Sequence, residues 1–170
     1  MRKLAVFAAL GLAFVASGCG FHPLYGTSAD TAQNADKLAS IYVEPIPERL
    51  GYELRNTLID VFDSSGRPSE GMYRLHVTLT QKSQGVAVQN DAAITRYNDT
   101  LTVTYVLTDM KGTEITKGYE TGLSAYNVVA SPYATLTAQR DADTRSATDI
   151  AYRIRTDLAV YFSQAAKRAK

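Results

Sequence analysis

Tyr73-Arg74-Leu75-His76-Val77-Thr78-Leu79-Thr80 alternates apolar and polar side chains without interruption. A period of two is the pleat of a β-strand with one dry and one wet face. Leu101, Val103, Tyr105 and Leu107 repeat the odd phase further on, with Thr100, Thr102, Thr104 and Thr108 between or beside them, and predict a second strand. Between the two strands Val86 and Val88 fall in the even phase, which one added residue, a bulge at or near Gly85, would produce. Asp109-Met110-Lys111-Gly112 then signals a hairpin turn. Ile115, Tyr119, Leu123 and Ala125 read as the inward set of a third strand, with Glu114, Thr116, Glu120 and Ser124 outward. The three strands form an antiparallel meander with a threonine-rich outer face.

Upstream, Ile41 and Val43 alternate with Ser40, Tyr42 and Glu44, a short strand closed by Pro45 and Pro47, which lack a donor. Leu50, Leu54, Leu58 and Val61 recur at helical steps and predict an amphipathic helix from about Pro47 to Phe62, with Glu48 favouring its positive end. A last helix from about Ala138 to Ala166 places Ala147, Ile150, Ala151, Ile154, Leu158 and Phe162 on one side. On another face Asp149, Arg153 and Asp157 sit four apart, a spacing that contributes only about 0.3–0.5 kcal/mol per pair. Residues 127–137 read as an exposed loop, and Asp141 and Asp143 as capping carboxylates at the start of the last helix.

The element order is strand, helix, three strands, helix. Two apolar helix stripes and one apolar sheet face have one economical arrangement, with both helices on the same side of the sheet. The expected fold class is therefore α+β, a two-layer sandwich with a four-stranded sheet and one polar, open face. It occupies residues 38–170 as a single domain.

The amino terminus carries different information. Arg2 and Lys3 precede a charge-free run from Leu4 to Val15, the pattern of an export signal. As a helix this run spans about 18 Å, short of the roughly 30 Å hydrocarbon core of a bilayer. Ala16-Ser17-Gly18-Cys19 follows and resembles a bacterial lipobox, in which the thiol takes a diacylglycerol and the peptide ahead of it is removed. The chain departs from that pattern at Ala16, where Leu, Val or Ile is usual. The alternative is an ordinary signal cut after Ala16, leaving Cys19, the one cysteine in the chain, as a free thiol. In the lipobox reading residues 1–18 are the signal peptide, Cys19 is the lipid attachment site, and residues 19–37 form an anchor segment and flexible tether. Several acyl chains hold a protein at a membrane far more firmly than one. Gly20 stands where aspartate would signal inner-membrane retention, so the resemblance implies the outer membrane.

Removing 18 of 170 residues leaves 152, enough for one core, and loss of Arg2 and Lys3 takes the formal net charge from +1 to −1. Nucleic acid is not an expected partner, since no broad basic field exists.

Cys19-Gly20-Phe21-His22-Pro23-Leu24-Tyr25-Gly26 resembles the mature start of the lipopolysaccharide-assembly lipoproteins of the LptE type. The resemblance implies a two-layer sandwich, an LptD-type outer-membrane β-barrel as partner, and a role as the plug that stabilises this barrel and helps deliver lipopolysaccharide to the outer leaflet.

The residues themselves offer little catalytic chemistry. His22 lies in the anchor segment, and His76 lies on an outward strand face beside Arg74. No Gly-x-Ser-x-Gly elbow, phosphate-cradling glycine loop or His-Glu-x-x-His occurs in the sequence. No enzyme activity, cofactor or metal is expected. The outward strand face suits either water or the polar lumen of a barrel. Arg74, Lys82 and Arg96 are candidates for contact with anionic lipopolysaccharide head groups, or else ordinary solvated strand residues. The rival readings are a periplasmic-facing lipoprotein carrying an apolar ligand between helices and sheet, and an enzyme inhibitor or envelope chaperone.

Overall fold

The computed structural model describes residues 29–63, 71–87 and 94–168. The expected export signal, Cys19 and His22 lie outside them. In chain order the elements are α1 (Ala29–Ala39), β1 (Ile41–Val43), α2 (Glu48–Phe62), β2 (Tyr73–Ala87), β3 (Ile94–Asp109), β4 (Glu114–Asn127) and α3 (Pro132–Arg168). The strands form one sheet in the order β1-β2-β3-β4. β1 runs parallel to β2, the two being joined through α2, and β2, β3 and β4 form the antiparallel meander. The expected α+β sandwich is therefore present, with one helix more than the sequence reading contains.

That extra helix is α1. Residues 29–37, expected to belong to a flexible tether, are helical instead. The fold holds its end: Leu38 is buried in the core, and the Lys37 ammonium lies 5.6 Å from the centre of the Phe162 ring. Lys37 also favours the negative end of α1.

The core lies between the sheet and the helices. Leu50, Leu54, Leu58 and Phe62 of α2 and Ile150, Ile154, Leu158 and Phe162 of α3 pack on the sheet side formed by Leu75, Val77, Leu101, Val103, Tyr105 and Leu107. These are the stripes and the strand phase visible in the sequence. Val61 is only half-buried, and Phe62 completes the α2 stripe. Burying one large aliphatic side chain contributes about 1.5–3 kcal/mol, so this layer dominates the stability of the fold.

Three expectations are corrected. In β4 the register sets Gly118 opposite Tyr105 and Gly122 opposite Leu101, so the even positions face the helices. Tyr119 and Leu123, expected inward, are 74% and 78% exposed on the open face. The reason is space. A Cβ at Gly118 would lie 2.4 Å from Tyr105 Oη, and one at Gly122 would lie 2.4 Å from Ser146 Oγ. Second, α3 begins at Pro132, well before Ala138. Ser131 caps it by accepting from the Ala134 N–H at 3.4 Å, and Pro132 sits at the first helical position, where its missing donor costs nothing. Asp141 and Asp143 consequently lie inside the helix and cap nothing. Third, the irregularity of β2 does lie near Gly85 but falls after Val86, between Val86 and Ala87, so Val86 stays in phase with the open face, opposite Arg96, instead of turning inward.

Candidate interaction face

The side of the sheet away from the helices carries the surface that the sequence singled out. Strand pleating sends every second side chain there. β2 contributes Arg74, His76, Thr78, Thr80 and Lys82, and β3 contributes Arg96, Asn98, Thr100, Thr102, Thr104, Val106 and Thr108. The threonines of the two strands stand in facing pairs, Thr78 with Thr104 and Thr80 with Thr102. Such pairs favour the pleated surface and leave it rich in hydroxyl groups.

Charge on this face is mostly positive. Glu44 accepts from His76 Nδ1 at 3.0 Å, and Glu114 pairs with Lys117 at 3.1 Å. Arg74 stacks over the Tyr42 ring at 5.6 Å, and Arg96 Nε donates to Asn98 Oδ1 at 3.3 Å. The structure puts Arg74, Lys82 and Arg96 on one face but does not gather them. Arg74 and Lys82 are eight residues apart along β2, about 27 Å, and Lys82 lies four rows from Arg96, about 14 Å. They form a spaced line of cations and cannot share a single phosphate-sized group.

Tyr119 and Leu123 complete the face on the sheet edge, where they register with Thr104 and Thr100. They are the residues that the sequence reading placed on the wrong side. Their alternation with Gly118 and Gly122 was the available signal, since two glycines on one strand face mark a close backbone approach.

Behind the sheet lie two polar clusters. In the first, Asp143 of α3 is buried and accepts from Arg49 Nη2 at 2.5 Å and from Gln81 Nε2 at 2.7 Å. Gln81 Nε2 also reaches Asp99 Oδ2 at 3.3 Å, so one amide bridges two buried carboxylates. Burial raises the Asp143 pKa, and the bonds from Gln81 and Arg49 oppose that rise. In the second, at the seam between β4 and α3, Tyr105 Oη donates to Asp157 Oδ2 at 2.9 Å, and Arg153 lies 3.6 Å from Glu120 while donating to the Thr121 carbonyl at 3.1 Å. Burial raises the Glu120 pKa, and the adjacent Asp157 carboxylate raises it further. Tyr105 is pushed up by burial and by its bond to Asp157, so its hydroxyl stays protonated. A pocket of about 350 Å³ opens here, lined by Glu120, Tyr152, Arg153, Thr156 and Asp157.

Among the described residues no three His, Cys, Asp or Glu side chains gather as a metal site would require. Also among the described residues, no helix is long and apolar enough to cross a membrane.

With this arrangement in view, the comparison with known families decides the lineage. The family model described as LptE, Lipopolysaccharide-assembly, matches residues 38–159, from the last turn of α1 to the last turns of α3. The chain belongs to the LptE family. Three solved structures show how far the fold of this LptE-family protein is shared. A crystal structure from Caulobacter crescentus, described as a lipoprotein, is 29% identical, covers 78% of this chain and 97% of its own, and superposes with a TM-score of 0.67. The minor lipoprotein from Acinetobacter baumannii, at 18% identity, covers 72% of this chain and 92% of its own with a TM-score of 0.58. The rare lipoprotein B from Shewanella oneidensis, at 12% identity, covers 71% and 92% with a TM-score of 0.54. The latter two share the fold alone. No curated protein matches the sequence significantly.

Proposed function

We propose that this LptE-family chain is an outer-membrane lipoprotein of lipopolysaccharide assembly, without catalytic activity, that seats in an LptD-type β-barrel and stabilises it. Residues 1–18 direct export, Cys19 carries the lipid, and the segment from 19 to α1 links that lipid to the folded domain. The observation that carries the reading is a sheet face left uncovered by the described helices, polar across its middle and bearing Tyr119 and Leu123 at its edge. A barrel lumen is polar, and a plug must offer it hydrogen bonds without a large apolar patch. The facing threonines do that, while two exposed apolar side chains supply the kind of anchor that dominates binding energy at an interface.

Arg74, Lys82 and Arg96 are the proposed contacts with lipopolysaccharide. Their spacing suits a succession of anionic groups along the face better than one chelated group. The rival, an apolar ligand held between helices and sheet, draws less support, because Leu54, Leu58, Leu75, Leu107, Ile154 and Leu158 already fill that space.

The test is mass spectrometry of the mature amino terminus, together with identification of what co-purifies from outer membranes in mild detergent. A triacylated Cys19 and a stoichiometric barrel partner are expected. An unmodified thiol on a protein that purifies alone overturns the proposal.

A further inference from the structure

From Thr121 to Gln139 the chain carries no charged residue, the longest uncharged run after the export signal. Its middle is the turn from β4 into α3, at the end of the sheet. Val128, Val129, Tyr133 and Leu136 are exposed there, Tyr133 to 79%, and Ile94 at the start of β3 adds a fifth apolar side chain. The Val128 N–H donates to the Thr95 carbonyl at 2.9 Å and so joins this turn to β3.

Three backbone N–H groups of the turn are paired within it. The Val129 N–H donates to Thr135 Oγ1 at 3.1 Å, the Thr135 N–H to the Ser131 carbonyl at 3.1 Å, and the Ala134 N–H to Ser131 Oγ, while Pro132 has no N–H to satisfy. In hydrocarbon every unpaired backbone group costs several kcal/mol, so each bond already made within the turn lowers the cost of entry. Tyrosine is the residue that favours the boundary between the two media. Behind the tip, Arg96, in register with Asn127, and Arg140, one helical turn past Leu136, are exposed and positive, as suits lipid phosphates.

We infer that in the free lipoprotein, before it is seated in any barrel, the β4–α3 tip inserts into the acyl region of a lipid bilayer. The reach of the chain permits this beside an anchored Cys19. Tyr133 lies 29 residues along α3 from Phe162, against which α1 packs, a distance of about 43 Å. The nine residues from 20 to 28 can extend by about 30 Å. Anchor and tip therefore reach one leaflet when α3 lies along its surface. The inference shares the membrane setting of the proposed function but not its barrel partner.

The chain has no tryptophan, so Tyr133→Trp gives a single reporter in the full-length lipoprotein. Tyr52→Trp, on the exposed side of α2, is the reference. Each is reconstituted without barrel into phosphatidylethanolamine and phosphatidylglycerol vesicles, with and without bromine on the acyl chains, and flotation records attachment separately. The expected result is bromine quenching several-fold greater at 133 than at 52, abolished when Val129→Asp and Leu136→Asp are added to the reporter without change in circular dichroism. Protein that floats but is quenched equally at both positions overturns the inference and leaves the anchor standing. Blue-shifted emission at 133 without bromine quenching overturns it in favour of a second copy of the chain covering the tip. Protein that neither floats nor is quenched overturns both.

Discussion

Arg49 on α2 and Asp143 on α3, 94 residues apart, meet at 2.5 Å, with the carboxylate side chain 4% exposed and the guanidinium 44% exposed. The pair ties the two helices together over the sheet, and Gln81 extends the tie to β2. Arg49→Ala leaves a buried carboxylate with one amide partner, and leaving a buried polar group unsatisfied costs about 1–3 kcal/mol. Arg145 pairs with Asp141 one turn away on α3, but both are exposed, so Arg145→Ala costs less than about 0.5 kcal/mol. Urea unfolding of the two variants at neutral pH measures the contrast. Equal losses would show that the Arg49 bridge is not the buried tie described.

Gly122 sits under α3 with no room for a side chain. A Cβ there would stand 2.4 Å from Ser146 Oγ and 2.9 Å from Ile150 Cδ1. Forcing a methyl into a packed layer costs about 1–3 kcal/mol, and Gly122→Ala is expected in that range. Ser146 Oγ is buried without a hydrogen-bond partner, so Ser146→Ala alone is neutral or stabilising. It also removes the nearest obstacle, and the double variant should lose less than the sum of the two single changes. A double-mutant cycle in urea reads the coupling. Additive losses would place the collision elsewhere.

Glu120 and Asp143 both have raised pKa values, for each chiefly because burial disfavours the charged form. Each binds its proton more tightly folded than unfolded, so the stability it contributes is present below the ordinary carboxylate range, near about 4, and falls as pH rises through the raised value. Asp109 acts in the opposite direction. Its pKa is held down first by the Thr113 N–H, so its contribution is present above the ordinary range and is lost as pH falls through the lowered value. Unfolding free energy measured across this range should therefore decline on the neutral side. Glu120→Gln flattens that decline, and Asp109→Asn flattens the acid limb instead. An unchanged neutral-side slope in Glu120→Gln would remove the seam carboxylate from the account.

Much of this arrangement was legible before any coordinates. The alternation from Tyr73 to Thr80 and from Thr100 to Thr108 fixed two strands and their dry faces, because nothing in those stretches competes with a period of two. β4 misled for a physical reason. The inward positions in its middle hold Gly118, Gly122 and a partly buried Glu120, so there the largest apolar residues are the ones facing out, and periodicity reads size rather than available space. α1 was missed because small polar residues give no stripe until Leu38 reaches the core. The start of α3 was missed although Ser131-Pro132 is a recognisable cap and first turn, since the apolar stripe begins a full ten residues later. Asp99 was missed, although a carboxylate in phase with Leu101 and Val103 marks a buried polar group. The bridge to Asp143 through Gln81 joins elements too distant in sequence for any spacing to reveal.

Tyr119 and Leu123 offer the sharpest separation of folding from function. Both stand free of the core on the open face, and surface changes of this kind move stability by no more than about 0.5 kcal/mol. Tyr119→Ser with Leu123→Ser should leave the urea midpoint where it was and leave the proposed lipidation of Cys19 unaffected. If the open face is the surface that meets a barrel, the same double variant strips two apolar anchors from that contact; truncating a tyrosine that serves as a hot spot costs about 2 kcal/mol or more, and Leu123 adds a smaller share. Co-purification of the barrel from outer membranes should fall steeply while the level of the lipoprotein itself holds. Thr80→Ala with Thr102→Ala, in the middle of the same face, should weaken co-purification much less, because a threonine pair contributes hydrogen bonds that water can replace. Undiminished barrel recovery with the Tyr119 and Leu123 double variant would show that a partner, if present, is met by the helical side instead.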